Sequence, residues 1–195
     1  MATFNGGKYI EKQVRSILSQ LDEKDELVIS DDNSIDSTLS ILRSFNDSRI
    51  KIFQNPKSGL ISNFENAINK SKGDLIFLAD QDDIWIDNKL EKTKIKYLEG
   101  YNVILSDACM IDENDKIINE SVLKLNASKE GFTTNLIKNN FIGCCMAFDK
   151  SLKTIILPFP QHIPMHDSWI GLNGYIHGKV HFLPTPLIFY RKYQN

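Results

Sequence analysis

The stretch LIFLADQDDIW, residues 75–85, joins an apolar run directly to a cluster of carboxylates. The run LIFLA is typical of a buried β-strand, and Asp80, Asp82 and Asp83 follow it at once. Like charges at this spacing repel, and their burial is costly unless a positive partner neutralises them. The sequence therefore predicts a strand whose end is built to hold a cation or a charged ligand.

The segments around this stretch alternate regularly between helix and strand patterns. They are a helix at 10–21, the strand ELVIS, a helix at 36–45, the strand IKIFQN, a helix at 60–71, the strand LIFLA, a helix at 88–98 and the strand NVILSD. Apolar strands that alternate with amphipathic helices indicate a parallel sheet covered on both faces. We predict an α/β fold with a mostly parallel sheet.

The regular rhythm ends near Asp107, and the second half is less uniform. It predicts a hairpin with its tip at 112–115, helices at 132–140, 150–157 and 167–176, a strand CCMAFD and two short final strands, VHFL and PLIFY. No linker or internal repeat divides the chain. We predict one domain over residues 1–195, with a ligand-binding half at 1–107 and an irregular half at 108–195.

Composition excludes several classes of function. The chain has 195 residues, 42% hydrophobic and 25% charged, with a formal net charge of -2, and it has no basic clusters interleaved with aromatics, so no nucleic-acid partner is expected. Three cysteines do not form a disulfide framework and favour a reducing compartment. No apolar run approaches the roughly 18 residues of a membrane span. We expect a cytoplasmic protein, and docking at the inner face of the membrane stays open.

Acidic residues follow three of the predicted strands. Asp31 and Asp32 follow ELVIS, Asp80 and Asp82 follow LIFLA, and Asp107 follows NVILS. Ligands of open α/β sheets bind outside the carboxyl ends of the strands. Hard oxygen ligands there suit Mg²⁺ or Mn²⁺ together with a substrate phosphate. Asp is also common in turns and caps, but the convergence of strand ends favours a site.

Six motifs together resemble a known enzyme family. In order, they are MATFNGGKYI, ISDDNSIDST, NPKSGLISNFENAI, LADQDDIW, FIGCCMAF and MHDSWIG. Their order and spacing resemble family 2 inverting glycosyltransferases of the GT-A nucleotide-sugar fold, above all the rhamnosyltransferase-like bacterial members that build surface polysaccharides. The resemblance covers nearly the whole chain, and six motifs in order are far more specific than any one of them.

The resemblance implies a donor site and a metal. The expected reaction moves a sugar from a UDP- or dTDP-linked donor to a saccharide or lipid-linked saccharide acceptor, with Mn²⁺ or Mg²⁺ as cofactor. Asp82 is the implied metal ligand, Asp32 contacts the base, and Asp80 lies near the ribose or sugar. The implied donor contacts are completed by Thr3, Phe4 and Asn5 beside the nucleoside and by Lys57, Gly59 and Asn63, which close over it.

On the acceptor side, the resemblance implies that Asp167 is the general base. A role as a helix cap is the structural alternative for this residue. Gly143 lies in an acceptor-facing turn, and His166 either orients the acceptor or has a cap or surface role. Trp169 either lines the acceptor site or packs in the core.

The chain departs from the family pattern at two places. Relatives usually carry more apolar residues before MATFNG, so the first strand is expected to be a stub whose neighbours lack partners. Tyr193 stands where relatives often have a histidine at the diphosphate or metal. Two alternatives therefore stay open: a nucleotide-sugar-binding fragment without turnover, and a Mg²⁺-dependent phosphoryl-transfer or receiver-like domain.

Overall fold

The computed structural model describes residues 1–193. The strands are β1 (Ala2–Thr3), β2 (Leu27–Asp31), β3 (Ile50–Gln54), β4 (Leu75–Phe77), β5 (Ile84–Trp85), β6 (Val103–Ile111), β7 (Ile117–Asn119), β8 (Met146–Asp149) and β9 (Val180–Arg191). The α-helices are α1 (Ile10–Leu18), α2 (Thr38–Ser44), α3 (Leu60–Lys70), α4 (Lys89–Leu98), α5 (Val122–Leu125), α6 (Phe132–Ile137), α7 (Lys150–Ile156) and α8 (His166–His177).

The first three strands form a parallel sheet in the order β1-β2-β3. Ala2 pairs with Ser30, and Leu27 pairs with Ile50. All five residues of β2 are buried, which accounts for the apolar run Leu27, Val28 and Ile29 at its start. Because β1 and β2 run in the same direction, their carboxyl ends open at the same edge of the sheet.

The second sheet has mixed strand directions. Its order is β4-β8-β6-β9-β5, with β7 on the side of β6. β6 and β9 are parallel, whereas β8 is antiparallel to both β4 and β6. The α/β prediction is confirmed, but the parallel arrangement extends less far than the alternation indicated. The strict alternation that enforces parallel neighbours stops after β6, and later strands are free to pair in the opposite direction.

Both sheets contribute to one hydrophobic core. Ile29 of β2, Leu105 of β6 and Ile170 of α8 are fully buried members of the same cluster. The core holds the two sheets together, so the loops after β1, β2 and β4 have fixed positions from which to build a site.

Several strand boundaries differ from the sequence prediction. β4 ends at Phe77 and β8 begins at Met146, so both are shorter than predicted. β6 continues past Asp107 to Ile111, and Asp107 is buried and accepts hydrogen bonds from the Leu123 backbone N–H and the Ser121 hydroxyl. The prediction that Asp107 ends its strand is wrong: it anchors the start of α5. The two predicted final strands form the single strand β9, whose register on β6 shifts beside Asp107, where prolines interrupt the ladder.

The first strand is a stub, as the sequence predicts. β1 has two residues, and within the described part of the chain a single backbone hydrogen bond, from Ala2 N to Ala79 O over 3.3 Å, connects it to the segment after β4. A cavity of about 530 Å³ borders Met1 and lies between β2 and β4. The Met1 amine is buried there and donates to the carbonyl of Val28, and burial lowers its pKa to about 5.

Candidate functional site

Side-chain hydrogen bonds join the carboxyl ends of β1 and β2. The Thr3 hydroxyl donates to Asp31 Oδ2 over 2.8 Å, and Asp31 also accepts from the backbone N–H and the hydroxyl of Ser34. Thr3 and Asp31 are both buried. The carboxylate of Asp31 is therefore fully engaged within the protein and holds the edge of the sheet in place.

The neighbouring carboxylate, Asp32, faces the loop before α3. Its Oδ2 accepts from the backbone N–H of Gly59 over 2.9 Å, and its Oδ1 accepts from Asn55 Nδ2 over 3.0 Å. Gly59 has a φ of 116°, a conformation that a residue with a side chain rarely adopts. The structure thus brings together Asp32 and Gly59, two of the predicted donor-site residues.

The loop after β1 is tied to the loop after β4 by a reciprocal pair of hydrogen bonds. The Phe4 N–H donates to Gln81 Oε1 over 2.8 Å, and Gln81 Nε2 donates to the Phe4 carbonyl over 3.0 Å. A Cβ at Gly6 would lie 2.3 Å from Gln81 Oε1, so a side chain at this position would displace the Gln81 amide. Asn5 takes a left-handed conformation with a φ of 49°. The Phe4 ring stays exposed at the rim of the cleft, where an aromatic face is available for a base.

Asn63 and Lys57 occupy different positions relative to this cleft. Asn63 is 2% exposed, and its Nδ2 donates to the Thr3 carbonyl over 3.0 Å, so it connects α3 to the end of β1. Its Oδ1 has no hydrogen-bond partner among residues 1–193. Lys57 is exposed on the loop that Asp32 holds. Lys57 is thus free to reach a ligand, whereas Asn63 lies beneath the loop.

Three carboxylates after β4, Asp80, Asp82 and Asp83, form what we call the acidic cluster. Asp83 is 1% exposed, and its Oδ1 accepts from the backbone N–H of Arg191. Its Oδ2 has no partner in the described part of the chain. Burial and then the charge of Asp80 raise the pKa of Asp83, and burial and then Asp82 raise the pKa of Asp80. The carboxylates of the cluster therefore hold protons to a higher pH than free carboxylates do, because they are poorly solvated and their charges repel.

The donor atoms of this cluster fit a hard divalent cation. One ligand atom each from Asp80, Asp83 and Cys144 lies within 4.8 Å of the others. A hydrogen bond to Cys145 and burial raise the pKa of the Cys144 thiol, so it stays protonated and is a poor metal ligand. The carboxylate oxygens, including the unpartnered Oδ2 of Asp83, are the ligand type that Mg²⁺ and Mn²⁺ prefer.

Asp82, the predicted metal ligand, is held by residues from the end of the described chain. The Tyr193 hydroxyl donates to Asp82 Oδ2 over 2.6 Å, and Arg191 Nε donates to the Asp82 carbonyl over 2.7 Å. The Arg191 guanidinium is buried and lies 4.2 Å from the centroid of the Tyr9 ring. Tyr193 is partly exposed, so its phenol can leave Asp82 without disturbing the core.

Asp167, the predicted base, lies in the first turn of α8 but does not cap the helix. The N-cap is Met165, which makes no side-chain capping bond. Asp167 Oδ1 accepts from the N–H of Ser168 over 2.6 Å and from Asn139 Nδ2 over 3.4 Å. The structure therefore does not support the cap alternative.

The electrostatic environment of Asp167 connects it to the acidic cluster. Burial raises the pKa of Asp167, and hydrogen bonds from Ser168, Asn139 and Gly143 oppose that shift. The negative charge of Asp167 is one of the causes that raise the pKa of Asp80. Asp167 thus faces the same region as the acidic cluster, although the two are about ninety positions apart in sequence, a separation that any α/β fold can close.

His166 lies beside Asp167 and is enclosed by two predicted site elements. Its ring stacks on Phe64 with centroids 3.9 Å apart and an interplanar angle of 17°. A Cβ at Gly143 would lie 2.8 Å from His166 Nε2, so the turn at Gly143 passes directly over the imidazole. Neither ring nitrogen has a partner among residues 1–193, and burial lowers the pKa of His166 to about 4. The imidazole is neutral at physiological pH and retains one free donor and one free acceptor.

The Trp169 side chain packs within the protein. Its Nε1 donates to the carbonyl of Ile156 over 3.1 Å, which ties α8 to the end of α7. The half-buried ring packs against the hydrophobic core. A contact with an acceptor stays a prediction for this residue.

Sequence reasoning missed several residues that build the site. Asp83 was visible in the quoted stretch, but nothing local distinguishes a buried carboxylate from an exposed one. Gln81 was not singled out, although its amide connects two loops. Arg191 has no sequence signal for its role, because its partners Asp82 and Asp115 are far away along the chain.

Comparison with known proteins identifies the family. The family model for Glycosyl transferase family 2 matches residues 1–155 of the chain. The chain belongs to glycosyl transferase family 2. The receiver-like alternative therefore loses its support.

Several curated proteins are similar to this family member. A UDP-Glc:alpha-D-GlcNAc-diphosphoundecaprenol beta-1,3-glucosyltransferase, WfgD, of Escherichia coli is 32% identical over 155 residues, which cover 78% of this chain and 59% of that protein. A GalNAc(5)-diNAcBac-PP-undecaprenol beta-1,3-glucosyltransferase of Campylobacter jejuni is 35% identical, over 60% of this chain and 39% of that protein. The dTDP-rhamnosyl transferase RfbG of Shigella flexneri is 38% identical over 47% of this chain and 34% of its own length. The chain thus spans about a third to three-fifths of these relatives.

Solved structures confirm the GT-A fold. S. aureus TarS 1-349 in complex with UDP-GlcNAc superimposes with a TM-score of 0.77 at 19% identity, over all of this chain and 58% of that one. The mannosyltransferase PcManGT from Pyrobaculum calidifontis, in complex with GDP-Man and Mn²⁺, gives a TM-score of 0.69 at 19% identity, over 95% of this chain and 53% of that one. At this identity the likeness concerns the fold.

Proposed function

We propose that this family 2 member is an inverting glycosyltransferase that moves a sugar from a nucleoside diphosphate sugar to a saccharide acceptor in surface polysaccharide synthesis. One observation carries the proposal: the carboxylates of the acidic cluster lie close together at the strand ends, and burial, the charge of Asp82 and the charge of Asp167 all raise the pKa of Asp80. The relatives with lipid-linked acceptors and UDP-linked donors in their names support this class of substrate.

The donor nucleotide is expected in the cleft between the loops after β1 and β2. The exposed Phe4 ring offers a face for the base, and Asp32 offers a carboxylate at the cleft rim beside Gly59. Lys57 lies on the same loop and carries a positive charge toward the diphosphate. These side chains bind and orient the donor and take no part in bond breaking.

Asp82 and Asp80 would hold the divalent cation, whose chemistry is to offset the charge of the departing diphosphate as a Lewis acid. Asp83 fixes their loop through Arg191, since its Oδ1 accepts from the Arg191 N–H. The Tyr193 hydroxyl, which donates to Asp82 Oδ2, would leave that carboxylate when Asp82 binds the cation. Tyr193 is an exposed residue, so this motion does not disturb the core.

Asp167 accepts the proton of the acceptor hydroxyl as that oxygen attacks the anomeric carbon. Burial raises the pKa of Asp167 and so strengthens it as a base, while hydrogen bonds from the groups around it oppose that shift. His166 offers a neutral donor and acceptor next to this carboxylate, which suits a sugar hydroxyl. A single displacement with one base inverts the anomeric configuration.

The experiment that tests the proposal is a donor panel. Purified chain is incubated with UDP-, dTDP- and GDP-linked sugars and a saccharide acceptor, and release of nucleoside diphosphate is measured with and without Mn²⁺. Acceptor- and Mn²⁺-dependent release from at least one donor is expected. Nucleotide binding without any release would support the alternative of a binding fragment without turnover.

A further inference from the structure

The segment 121–140 carries a group of exposed apolar side chains on its two short helices. Leu125 on α5 and Phe132, Leu136 and Ile137 on α6 are 55%, 40%, 59% and 83% exposed. Phe132 and Leu136 are four residues apart in one helix and therefore lie on the same side. Isolated exposed apolar residues are ordinary, but a contiguous group marks an interaction surface.

A hydrogen bond links the ends of the two helices. Lys138 Nζ, directly after α6, donates to the carbonyl of Asn126, directly after α5, over 3.0 Å. This contact connects the helix that carries Leu125 to the helix that ends at Ile137. We refer to Leu125, Phe132, Leu136 and Ile137 as the apolar patch.

The charge around the apolar patch is positive, in a chain whose formal net charge is -2. Lys124, Lys129 and Lys138 are all exposed in this segment. The acidic residue of 121–140 is Glu130, and its carboxylate is occupied by the N–H of Phe182 over 2.6 Å, on β9. Exposed apolar side chains ringed by lysines match the boundary between anionic headgroups and acyl chains of a bilayer.

The patch adjoins the candidate base. Asn139 follows Ile137 by two residues, and its Nδ2 donates to Asp167 Oδ1 over 3.4 Å. The segment is fastened to α8 at a second point, where the N–H of Gly131 donates to the Tyr175 hydroxyl over 2.7 Å. A surface that contacts the patch is therefore held close to the part of the fold that contains Asp167.

We infer that the apolar patch and its three lysines seat this chain on the surface of an anionic phospholipid bilayer. The apolar side chains enter the boundary between headgroups and acyl chains, and the lysines contact lipid phosphates. Asp167 would then face a sugar acceptor carried on a lipid. That purpose rests on the proposed function, but binding to lipid does not require turnover. Within residues 1–193 no helix is long and apolar enough to cross a bilayer, and the proposed contact lies in the plane of the surface.

Co-sedimentation with vesicles tests the inference. The full chain is mixed with vesicles of phosphatidylcholine alone or of phosphatidylcholine and phosphatidylglycerol, with no sugar nucleotide present. Three lysines near the surface predict roughly tenfold to 100-fold stronger binding to the anionic vesicles, lost at high salt. Replacement of Lys124, Lys129 and Lys138 by Gln is expected to abolish the preference for anionic lipid.

A pair of matched double variants separates the patch from general hydrophobicity. Leu136→Ser with Ile137→Ser is expected to weaken vesicle binding at least about tenfold, because two apolar side chains no longer enter the bilayer. Ile95→Ser with Leu98→Ser on α4 replaces side chains of similar exposure, 48% and 74%, and is expected to bind like the unchanged chain. Unchanged thermal unfolding of both variants is the folding control.

Three outcomes would overturn the inference. The first is no binding to anionic vesicles, and the second is an equal loss of vesicle binding in the two double variants. The third is a dimer of the unchanged chain that binds no lipid and that Leu136→Ser with Ile137→Ser separates into monomers. The last result would assign the patch to a second copy of the chain. Transfer to a water-soluble acceptor, measured separately, reports on the proposed function and leaves the lipid result independent of it.

Discussion

Two buried carboxylates near strand ends, Asp31 and Asp83, differ in how fully the protein satisfies their hydrogen-bonding capacity. Asp31, at the end of β2, is buried and accepts from Thr3 and twice from Ser34. Asp83, after β4, is equally buried, yet one of its oxygens has no partner among the described residues. Burial and then the charge of Asp80 raise the pKa of Asp83 to about 8, so the free protein meets this cost by favouring the protonated acid. The difference separates a carboxylate that the scaffold satisfies from one that a cation would satisfy under the proposed function.

The largest effect is expected at Asp167, near the acidic cluster. Asp167→Asn keeps the side-chain shape but removes the proton acceptor, so sugar transfer should fall by about 10²–10⁴-fold. Turnover with a donor identified in the panel measures this, and nucleotide binding and thermal unfolding should not change. Turnover like that of the unchanged enzyme would show that the base is elsewhere.

Asp31 and Asp32 provide a matched pair within the first sheet. Asp31→Ala removes a buried acceptor of three hydrogen bonds and should lower the free energy of unfolding by roughly 2–4 kcal/mol. Asp32→Ala should instead weaken nucleoside diphosphate binding by roughly 1–3 kcal/mol, the value of a charge-assisted hydrogen bond. Denaturant unfolding and calorimetry distinguish the two. If both variants lost only stability, Asp32 would join Asp31 as scaffold.

His166 tests whether unsatisfied groups cost stability in a pH-dependent way. Burial lowers its pKa from 6.5 to about 4, so the unfolded chain takes up a proton first as the pH falls. Its contribution therefore destabilises the fold progressively below pH 6.5 until the folded pKa is reached. Between about pH 8 and about pH 5 the loss should be about 2 kcal/mol, and His166→Phe should remove it while keeping the stack on Phe64.

The measurement is the difference in unfolding free energy between this variant and the unchanged chain at the two pH values. The buried carboxylates are present in both proteins, so their own pH dependence cancels. A difference that does not vary with pH would mean that the His166 ring is solvated in solution.

The smallest effect is expected at Tyr193. Its hydroxyl donates to Asp82 and competes with a cation, so Tyr193→Phe should tighten Mn²⁺ binding by about threefold to tenfold, the value of one hydrogen bond. The phenylalanine keeps the ring, which lies 6.1 Å from that of Tyr9. Titration of Mn²⁺ followed by electron paramagnetic resonance gives the affinity. Weaker binding in the variant would make the Tyr193 oxygen a ligand instead.

Local sequence patterns predicted the first half of the fold well, because it follows one repeated rule. β2 lies on the apolar run of ELVIS and ends at Asp31, and β4 covers the first three residues of LIFLA and ends at Phe77, shortly before Asp80. The same reasoning failed at Asp107, which has the same pattern but lies inside β6. The pattern of an apolar run followed by an acid does not record which acids a later helix will satisfy, as α5 satisfies Asp107.

The resemblance to the family implies roles for Asp82 and Asp167, and the structure adds their surroundings. Neither composition nor periodicity indicated that Asp167 lies near enough to Asp80 to raise its pKa, since that proximity depends on tertiary packing. Similarly, the unpartnered nitrogens of His166 become evident only when Phe64 and Gly143 enclose the ring. Long-range contacts of this kind require the folded structure.

The central claim is that the acidic cluster is a site for a divalent cation and a nucleoside diphosphate. Calorimetric titration of UDP, dTDP and GDP into the chain, with and without Mn²⁺, and again with Asp82→Asn, tests it directly. The account predicts that at least one nucleotide binds in the presence of Mn²⁺, that binding weakens by roughly tenfold or more without the ion, and that Asp82→Asn removes the dependence on the ion. Equal affinity with and without Mn²⁺, or an unaltered Mn²⁺ dependence in Asp82→Asn, would contradict it.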